Sequence, residues 1–170
     1  MRFASPALIA AALAASAVFT LPAHAAEVGQ AAPELAALPT AKPGGSVSAK
    51  DLPGKVTYLD FWASWCGPCK QSFPWMNQMQ AKYGSKGFQV IAVNLDKKRD
   101  DADRFLAEVP AQFSVALDPQ GASAKQFQIK GMPSSVLIGA DGRVIATHSG
   151  FRDDERAELE ARISAALGAK

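Results

Sequence analysis

The sequence predicts an α/β fold with a mixed central sheet flanked by helices. Three observations point to it. From Val56 onward, β-rich apolar runs alternate with stretches of helical period. A hairpin signal, Asp141-Gly142, appears only late in the chain. The only two cysteines, Cys66 and Cys69, fall where the first β-rich run gives way to the first helical stretch. The implied order is β-α-β-α-β-α-β-β-α, with parallel pairs first and an antiparallel edge supplied by the late hairpin.

Each element has its own reason. "KVTYLDFWA" contains a short β-rich strand, Val56 to Trp62. A helix follows Cys66 to about Tyr83, with Phe73, Met76 and Tyr83 near helical spacing, and Gly84 and Gly87 end it. Pro74 lies inside that helix, removes its bond to the Lys70 carbonyl and predicts a kink. "FQVIAVNL" reads as a second buried strand. Ala102, Phe105, Leu106 and Val109 mark one face of a helix that Pro110 stops. "FSVAL" is a short strand and "GASAKQFQI" a short helix or turn. "SSVLIGADGRVIATH" reads as two strands joined at Asp141-Gly142. Asp153-Asp154-Glu155 opens the last helix with acids at its positive end, and Leu159, Ile163 and Leu167 line its face.

The chain has 170 residues, one ordinary domain's worth. Residues 1–25 read as a secretory signal: Arg2, an apolar run from Ala7 to Leu21, then Ala23-His24-Ala25 as a small-x-small cleavage pattern. An uncleaved anchor is the alternative. Residues 26–50, rich in Ala, Pro and Gly, read as an arm with a small hairpin turning at Pro43-Gly44-Gly45, and residues 51–170 as the main domain. Net charge is +2 with both signs interspersed, as in "DKKRDDADR" (Asp96 to Arg104), read as a solvated helix face. No basic stripe argues for nucleic acid.

"FWASWCGPCKQSFPWMN" holds both cysteines and all three tryptophans. In an oxidising compartment disulfides usually act as staples. A loop this small yields only about 2 kcal/mol by chain entropy. A structural zinc site needs four ligands, and beyond the leader the chain offers two Cys and His148. Redox chemistry explains the pair better. Cys66 stands at a helix N-terminus, where backbone N–H groups and the helix dipole favour a thiolate. Gly67-Pro68 makes the turn, and Pro68 lacks an N–H where none is needed. Cys69 sits one turn in and deeper. The roles follow: Cys66 attacks a substrate disulfide and Cys69 resolves the mixed disulfide. Trp62 and Trp75 read as core, and Trp65, next to Cys66, as the rim of the site.

The segment "DFWASWCGPCK" resembles the active-site segment of the thioredoxin superfamily. With the extension "GQAAPELAALPTAKPGG…DLPGKVTYLDFW", an extra helix-strand pair before "ALD", and "GMPSSVLIGADGRV", the chain resembles the exported TlpA/ResA-like thiol-disulfide oxidoreductases over nearly its whole length after the leader. The resemblance implies a thioredoxin fold with an N-terminal extension and one inserted helix-strand pair. It also implies that Pro133 is a cis-proline facing the cysteines, with Met132 before it as part of a substrate platform that includes Trp65, Gly67 and Pro68. Asp60 matches the family's buried acid, and a carboxylate in so apolar a strand should be desolvated and become a base near neutral pH. Ser72 stands where anchored members carry Glu, and Ser134 where cytochrome-maturation members carry Glu after the proline. Both departures point away from haem-protein maturation and toward a more general disulfide reductase.

The expected activity is therefore exchange with protein disulfides or thiols in the periplasm, by a monomer, with no cofactor beyond the redox-active Cys66–Cys69 pair and no metal. A membrane thiol conduit of the DsbD/CcdA kind is the expected electron donor. Two other readings stay in view. A soft metal such as Cu(I) could be held by Cys66, Cys69 and His148. A thiol peroxidase would need Pro-x-x-x-Thr/Ser-x-x-Cys, where this chain has Leu59 and Ala63.

Overall fold

The computed structural model describes residues 26–168. The leader expected over residues 1–25 lies outside the described residues. Seven strands and four helices follow in order: β1 (Leu38–Pro39), β2 (Ser46–Val47), β3 (Val56–Trp62), α1 (Gly67–Tyr83), β4 (Phe88–Asn94), α2 (Arg99–Glu108), β5 (Ser114–Leu117), α3 (Ala122–Gln126), β6 (Ser134–Ile138), β7 (Val144–Ser149) and α4 (Arg156–Gly168). From β3 onward this is the alternation expected from the sequence.

The central sheet has the order β5-β4-β3-β6-β7. β3 pairs in parallel with β4, and β4 with β5. Antiparallel pairing goes further inward than expected. β6 pairs with β7, as the hairpin requires, and also antiparallel with β3. The hairpin therefore supplies an interior strand as well as an edge. The central position explains the composition of β3. All seven of its residues are buried, since both edges are paired and both faces covered.

The two faces pack against different layers. Leu59 and Phe61 point to one side, with Ile91, Val93, Val136 and Ile138, and meet Leu35, Val47 and Leu52 of the extension and Phe127 after α3. Val56, Tyr58 and Trp62 point to the other, against α1, α4 and Phe105 of α2. Here Trp62 packs edge-on against Phe73 (centroids 4.8 Å apart), and both contact Phe105 at 4.6 and 5.0 Å. Such ring pairs contribute about 0.5–1.5 kcal/mol each beyond area burial. They fix α1 against the sheet and so fix the depth of its first turn.

In the extension, Leu38 and Pro39 pair antiparallel with Val47 and Ser46. This pair adds to the edge of the main sheet, where Thr40 bridges Ala116 and the Ala41 N–H donates to the Val115 carbonyl (2.9 Å). Helix α1 runs through Pro74 to Tyr83 without interruption. Gly87 follows its terminal turn at φ 87°, a conformation that costs a glycine little. In α2, Ala102 and Phe105 are buried while Leu106 and Val109 pack partly against the core. Asp153–Glu155 forms a separate 3₁₀ turn before α4.

Candidate active site

β3 delivers the chain to the site. After Trp62 the backbone turns through Ala63-Ser64-Trp65, and Cys66 becomes the N-cap of α1. Its Sγ accepts a hydrogen bond from the Cys69 N–H (3.3 Å). This is one of the donors that a helix N-terminus leaves unpaired, and it faces the sulfur that must carry charge. Cys66 and Cys69 form a disulfide with Cα atoms 5.3 Å apart. Cys66 is 5 % exposed and Cys69 0 %, so Cys69 is the deeper sulfur, as its place one turn into the helix implies. Gly67 and Pro68 are exposed on the first turn. Trp65 is 73 % exposed, beside a protein whose other two tryptophans are buried. The nearest cation in sequence, Lys70, is drawn to Glu108 at 3.0 Å.

Met132–Pro133 is a cis peptide, as the resemblance implies. The register Phe61↔Ser134 puts Pro133 just beyond the β6 residue that faces Phe61, beside the C-terminal end of β3 from which the cysteine loop departs. The Pro133 carbonyl accepts from Gly150 N–H (2.8 Å), and the Ser134 hydroxyl donates to the Gly131 carbonyl (2.8 Å). Met132 packs partly buried against the cluster that contains both cysteines. The residues expected at the site are thus brought to one end of the sheet by three segments: the β3–α1 loop, the turn into β6, and β3 itself.

Asp60 is 2 % exposed. It lies on the same face of β3 as Tyr58 and Trp62, the face covered by α1. Its Oδ2 is buried without a hydrogen-bond partner. Desolvation by burial therefore holds its carboxyl well above the usual carboxylate range. Tyr58 is also pushed far up, first by burial and then by the Asp60 charge. Ser72 is buried and its hydroxyl donates to the Cys69 carbonyl (3.0 Å), so it occupies the family's Glu position as a helix-bonded hydroxyl.

One contributor escaped the sequence reading. Asp96 belongs to the charged run read as a solvated face, yet it is buried. Its Oδ2 accepts from the Ser64 N–H (2.9 Å) and its Oδ1 from the Ser64 hydroxyl (3.0 Å). Asn94 Nδ2 also donates to it (2.7 Å), and its own N–H donates back to Asn94 Oδ1 (3.1 Å). Asp96 thus ties the end of β4 to the loop that presents Cys66. The available signal was Asn94-x-Asp96 directly after an apolar strand, a place for side chains that bond backbone. Asp96→Ala is expected to destabilise the fold by about 1–3 kcal/mol, because Ser64 N–H and Asn94 lose their partner. It should also broaden the loop: amide exchange at Ser64 should accelerate in Asp96→Ala and stay unchanged in the exposed control Asp100→Ala.

His148 does not join the cysteines. It lies in β7 with its Nε2 3.2 Å from Glu155 Oε2. Among the described residues no three His, Cys, Asp or Glu side chains come together in a way that could hold a metal. A groove of about 900 Å³ between the hairpin, α2 and the start of β4 is lined by neither cysteine. The Cys66–Cys69 disulfide is itself buried, with the exposed Trp65 beside it.

Comparison with known proteins agrees with this arrangement. The redoxin family profile matches residues 27–163. The thiol-disulfide oxidoreductase ResA of Bacillus thuringiensis subsp. konkukian is 34% identical over 132 residues, which cover 78% of this chain and 75% of that protein. A crystal structure from Chlorobium tepidum, provisionally described as thiol:disulfide interchange protein DsbE, superposes with a TM-score of 0.80 at 57% identity, over 84% of this chain and 99% of the other. A second Chlorobium tepidum structure, a thiol:disulfide interchange protein of the thioredoxin family, gives a TM-score of 0.71 at 26% identity, over 81% and 96%. A sheet of this order, a dithiol capping the helix that follows its central strand, and relatives of this kind lead to one conclusion: the chain belongs to the redoxin family and, within the thioredoxin superfamily, to the TlpA/ResA-like thiol-disulfide oxidoreductases.

Proposed function

We propose that this oxidoreductase is exported by its residues 1–25 and works in the periplasm as a reductase of protein disulfides. In this reading the Cys66 thiolate attacks a client disulfide, forms a mixed disulfide and releases one client thiolate. The Cys69 thiol passes its proton to Asp60 and attacks the Cys66 sulfur. The Cys66–Cys69 disulfide closes and the second client thiolate leaves, so two electrons pass from protein to client. Trp65, Gly67, Pro68, Met132 and Pro133 form the surface against which an extended client segment lies. No cofactor beyond the dithiol takes part, and a monomer suffices.

One observation carries the direction. The first turn of α1 contains no charged side chain before Lys70, and Lys70 is paired with Glu108. The thiolate of Cys66 therefore has the helix N-terminus and the Cys69 N–H to stabilise it, without an imidazolium or ammonium from that turn. A less stabilised thiolate makes a weaker oxidant. The exposed Trp65 beside the dithiol suits an apolar protein segment better than a small charged thiol. A low-potential dithiol needs an electron supply in an oxidising compartment, and a membrane thiol conduit of the DsbD/CcdA kind fits. No helix among the described residues is long and apolar enough to cross a membrane.

The test is the equilibrium potential against glutathione, with the redox state of the cysteines in cells lacking the conduit. The expected potential lies nearer the roughly −270 mV of reducing thioredoxins than the roughly −120 mV of strong periplasmic oxidants. The pair should also shift to the disulfide when the conduit is deleted. A potential near the oxidants, with no response to the deletion, reverses the direction.

A further inference from the structure

Asp60 is buried, and its Oδ2 has no partner. The sheet register shows what lies beside it. Asp60 in β3 faces Ser135 in β6, and Ser135 faces His148 in β7. Residues directly opposite in antiparallel strands project to the same side of a sheet. Asp60, Ser135 and His148 therefore form one row, crossing the sheet from its centre to its edge on the face covered by α1 and α4. The rows on either side differ. Tyr58's neighbours on that face are Leu137 and Ala146, both apolar.

The outer end of the row is charged. His148 Nε2 lies 3.2 Å from Glu155 Oε2, and Arg152 reaches the other Glu155 oxygen, Oε1, at 3.2 Å. His148 and Glu155 have side chains 25 % and 23 % exposed, so they stand at the boundary between solvent and interior. Further in, Ser135 and Tyr58 line the same side, and after burial the Asp60 and Glu155 charges both hold the Tyr58 hydroxyl's proton more tightly. A cavity of about 10 Å³, near the size needed for one water, is lined there by Tyr58, Ser135, His148 and Arg162 among apolar residues.

The geometry points to the His148–Glu155 pair as an electrostatic handle on Asp60: from the sheet edge, across Ser135 and Tyr58, Glu155 sets how readily Asp60 takes a proton. Glu155 and His148 are then positioning residues for the proton step of thiol exchange. The inference rests on the reading of Asp60 as proton acceptor for its functional meaning, while the coupling itself can be measured without it. The titratable and charged groups packed on this face are Tyr58 from β3, Cys66 and Cys69 at the start of α1 and Tyr83 at its end, and His148 from β7. Arg152 and Glu155 precede α4, and Arg156, Glu160 and Arg162 come from α4 itself. β4 places Ala92 opposite Asp60 and contributes no charge. Burial is what holds the Asp60 carboxyl high; a carboxylate near a second carboxyl also disfavours its ionisation, so in this proposal Glu155 adds to that rise and an uncharged Gln removes the addition.

Carbon-13 NMR of the reduced protein reads the Asp60 carboxyl titration directly. Two neighbouring strand spacings put the pair roughly 10 Å or more from Asp60, and at the effective interior dielectric this distance gives a shift of up to about one pH unit. Glu155→Gln keeps hydrogen-bonding capacity toward His148 and Arg152, and its Asp60 midpoint is expected to fall by that amount. Glu158→Gln, which removes an equal charge from an exposed site paired to Arg162, is expected to leave it in place. The pH profile of mixed-disulfide resolution should move down with the midpoint in Glu155→Gln. An unmoved or raised midpoint in a folded Glu155→Gln protein overturns the handle, as does an equal shift in Glu158→Gln. Asp60→Asn separates the two ideas. If it leaves the pH profile of resolution intact, Asp60 is not the acceptor, while the NMR midpoint still decides the coupling.

Discussion

Cys66→Ser is expected to abolish exchange, by on the order of 10³-fold or more, since no other thiol of the chain can attack from the helix N-terminus. Cys69→Ser is expected to give a different phenotype. The first attack proceeds and the mixed disulfide accumulates, because the sulfur that would displace the client is gone. The asymmetry follows from position: Cys66 caps α1 and receives the Cys69 N–H, whereas Cys69 is fully buried one turn in. In Cys69→Ser, the alkylation rate of Cys66 should titrate with a midpoint below the roughly 8.5 of a free thiol. With no charged side chain in the first turn of α1 before Lys70, the drop should be modest. A midpoint at or above the free-thiol value shows that the helix terminus does not stabilise the thiolate, and equal behaviour of the two serine variants removes the division of roles.

Asp60→Asn is expected to slow resolution of a mixed disulfide at neutral pH by about 10²–10⁴, the usual contribution of a positioned general base, while the first attack stays nearly intact. Ser72→Ala is expected to change neither step comparably, since the Ser72 hydroxyl is engaged by the Cys69 carbonyl. Asp60→Asn should also affect stability in the opposite sense. Burial raises the folded pKa of Asp60 above its unfolded value. Between those two values the folded state holds the proton more tightly, so stability falls as pH rises from the unfolded pKa through the folded pKa. Above the folded pKa the full penalty of a buried, unpartnered carboxylate applies. Asparagine removes that charge. The variant should therefore be more stable than the parent above the folded pKa, on the scale of about 1–3 kcal/mol set by one unsatisfied buried group. The gain should vanish below the unfolded pKa near 3.9. Urea unfolding of both proteins across pH measures this. A gain that is the same at every pH, or a loss at alkaline pH, means that Asp60 is not a strained buried acid.

These two residue sets were legible in the chain for different reasons. The cysteines could be read because their chemistry is local: a two-residue spacing, a Gly-Pro turn and a strand-to-helix switch lie within a few residues of each other. Asp60 could be read because β3 is apolar on both sides of it, and an acid in a fully buried strand must be desolvated. The strand's limits, Val56 and Trp62, were equally local, since a central strand leaves no polar alternation to blur them. The long α1 followed from the helical spacing of Phe73, Met76 and Tyr83, and Trp62 and Trp75 read as core simply as large apolar residues.

What the sequence by itself determined, then, is the element order, the dithiol at a helix N-terminus and the acid buried in β3. Tertiary structure decided whatever depends on contacts between distant segments. Pairing direction is one case: only the fold places β6 antiparallel beside β3, because hydrogen bonds between strands carry no signature in either strand alone. Asp96 is another. In a run of charges it looked solvated, and it became a buried tether only because the β3–α1 loop offers it the Ser64 N–H across the sheet end. Glu155 looked like an acid placed for a helix dipole, and the turn before α4 instead delivers it to His148. The row Asp60–Ser135–His148 exists only through register, in which one residue of slip would send every side chain to the opposite face.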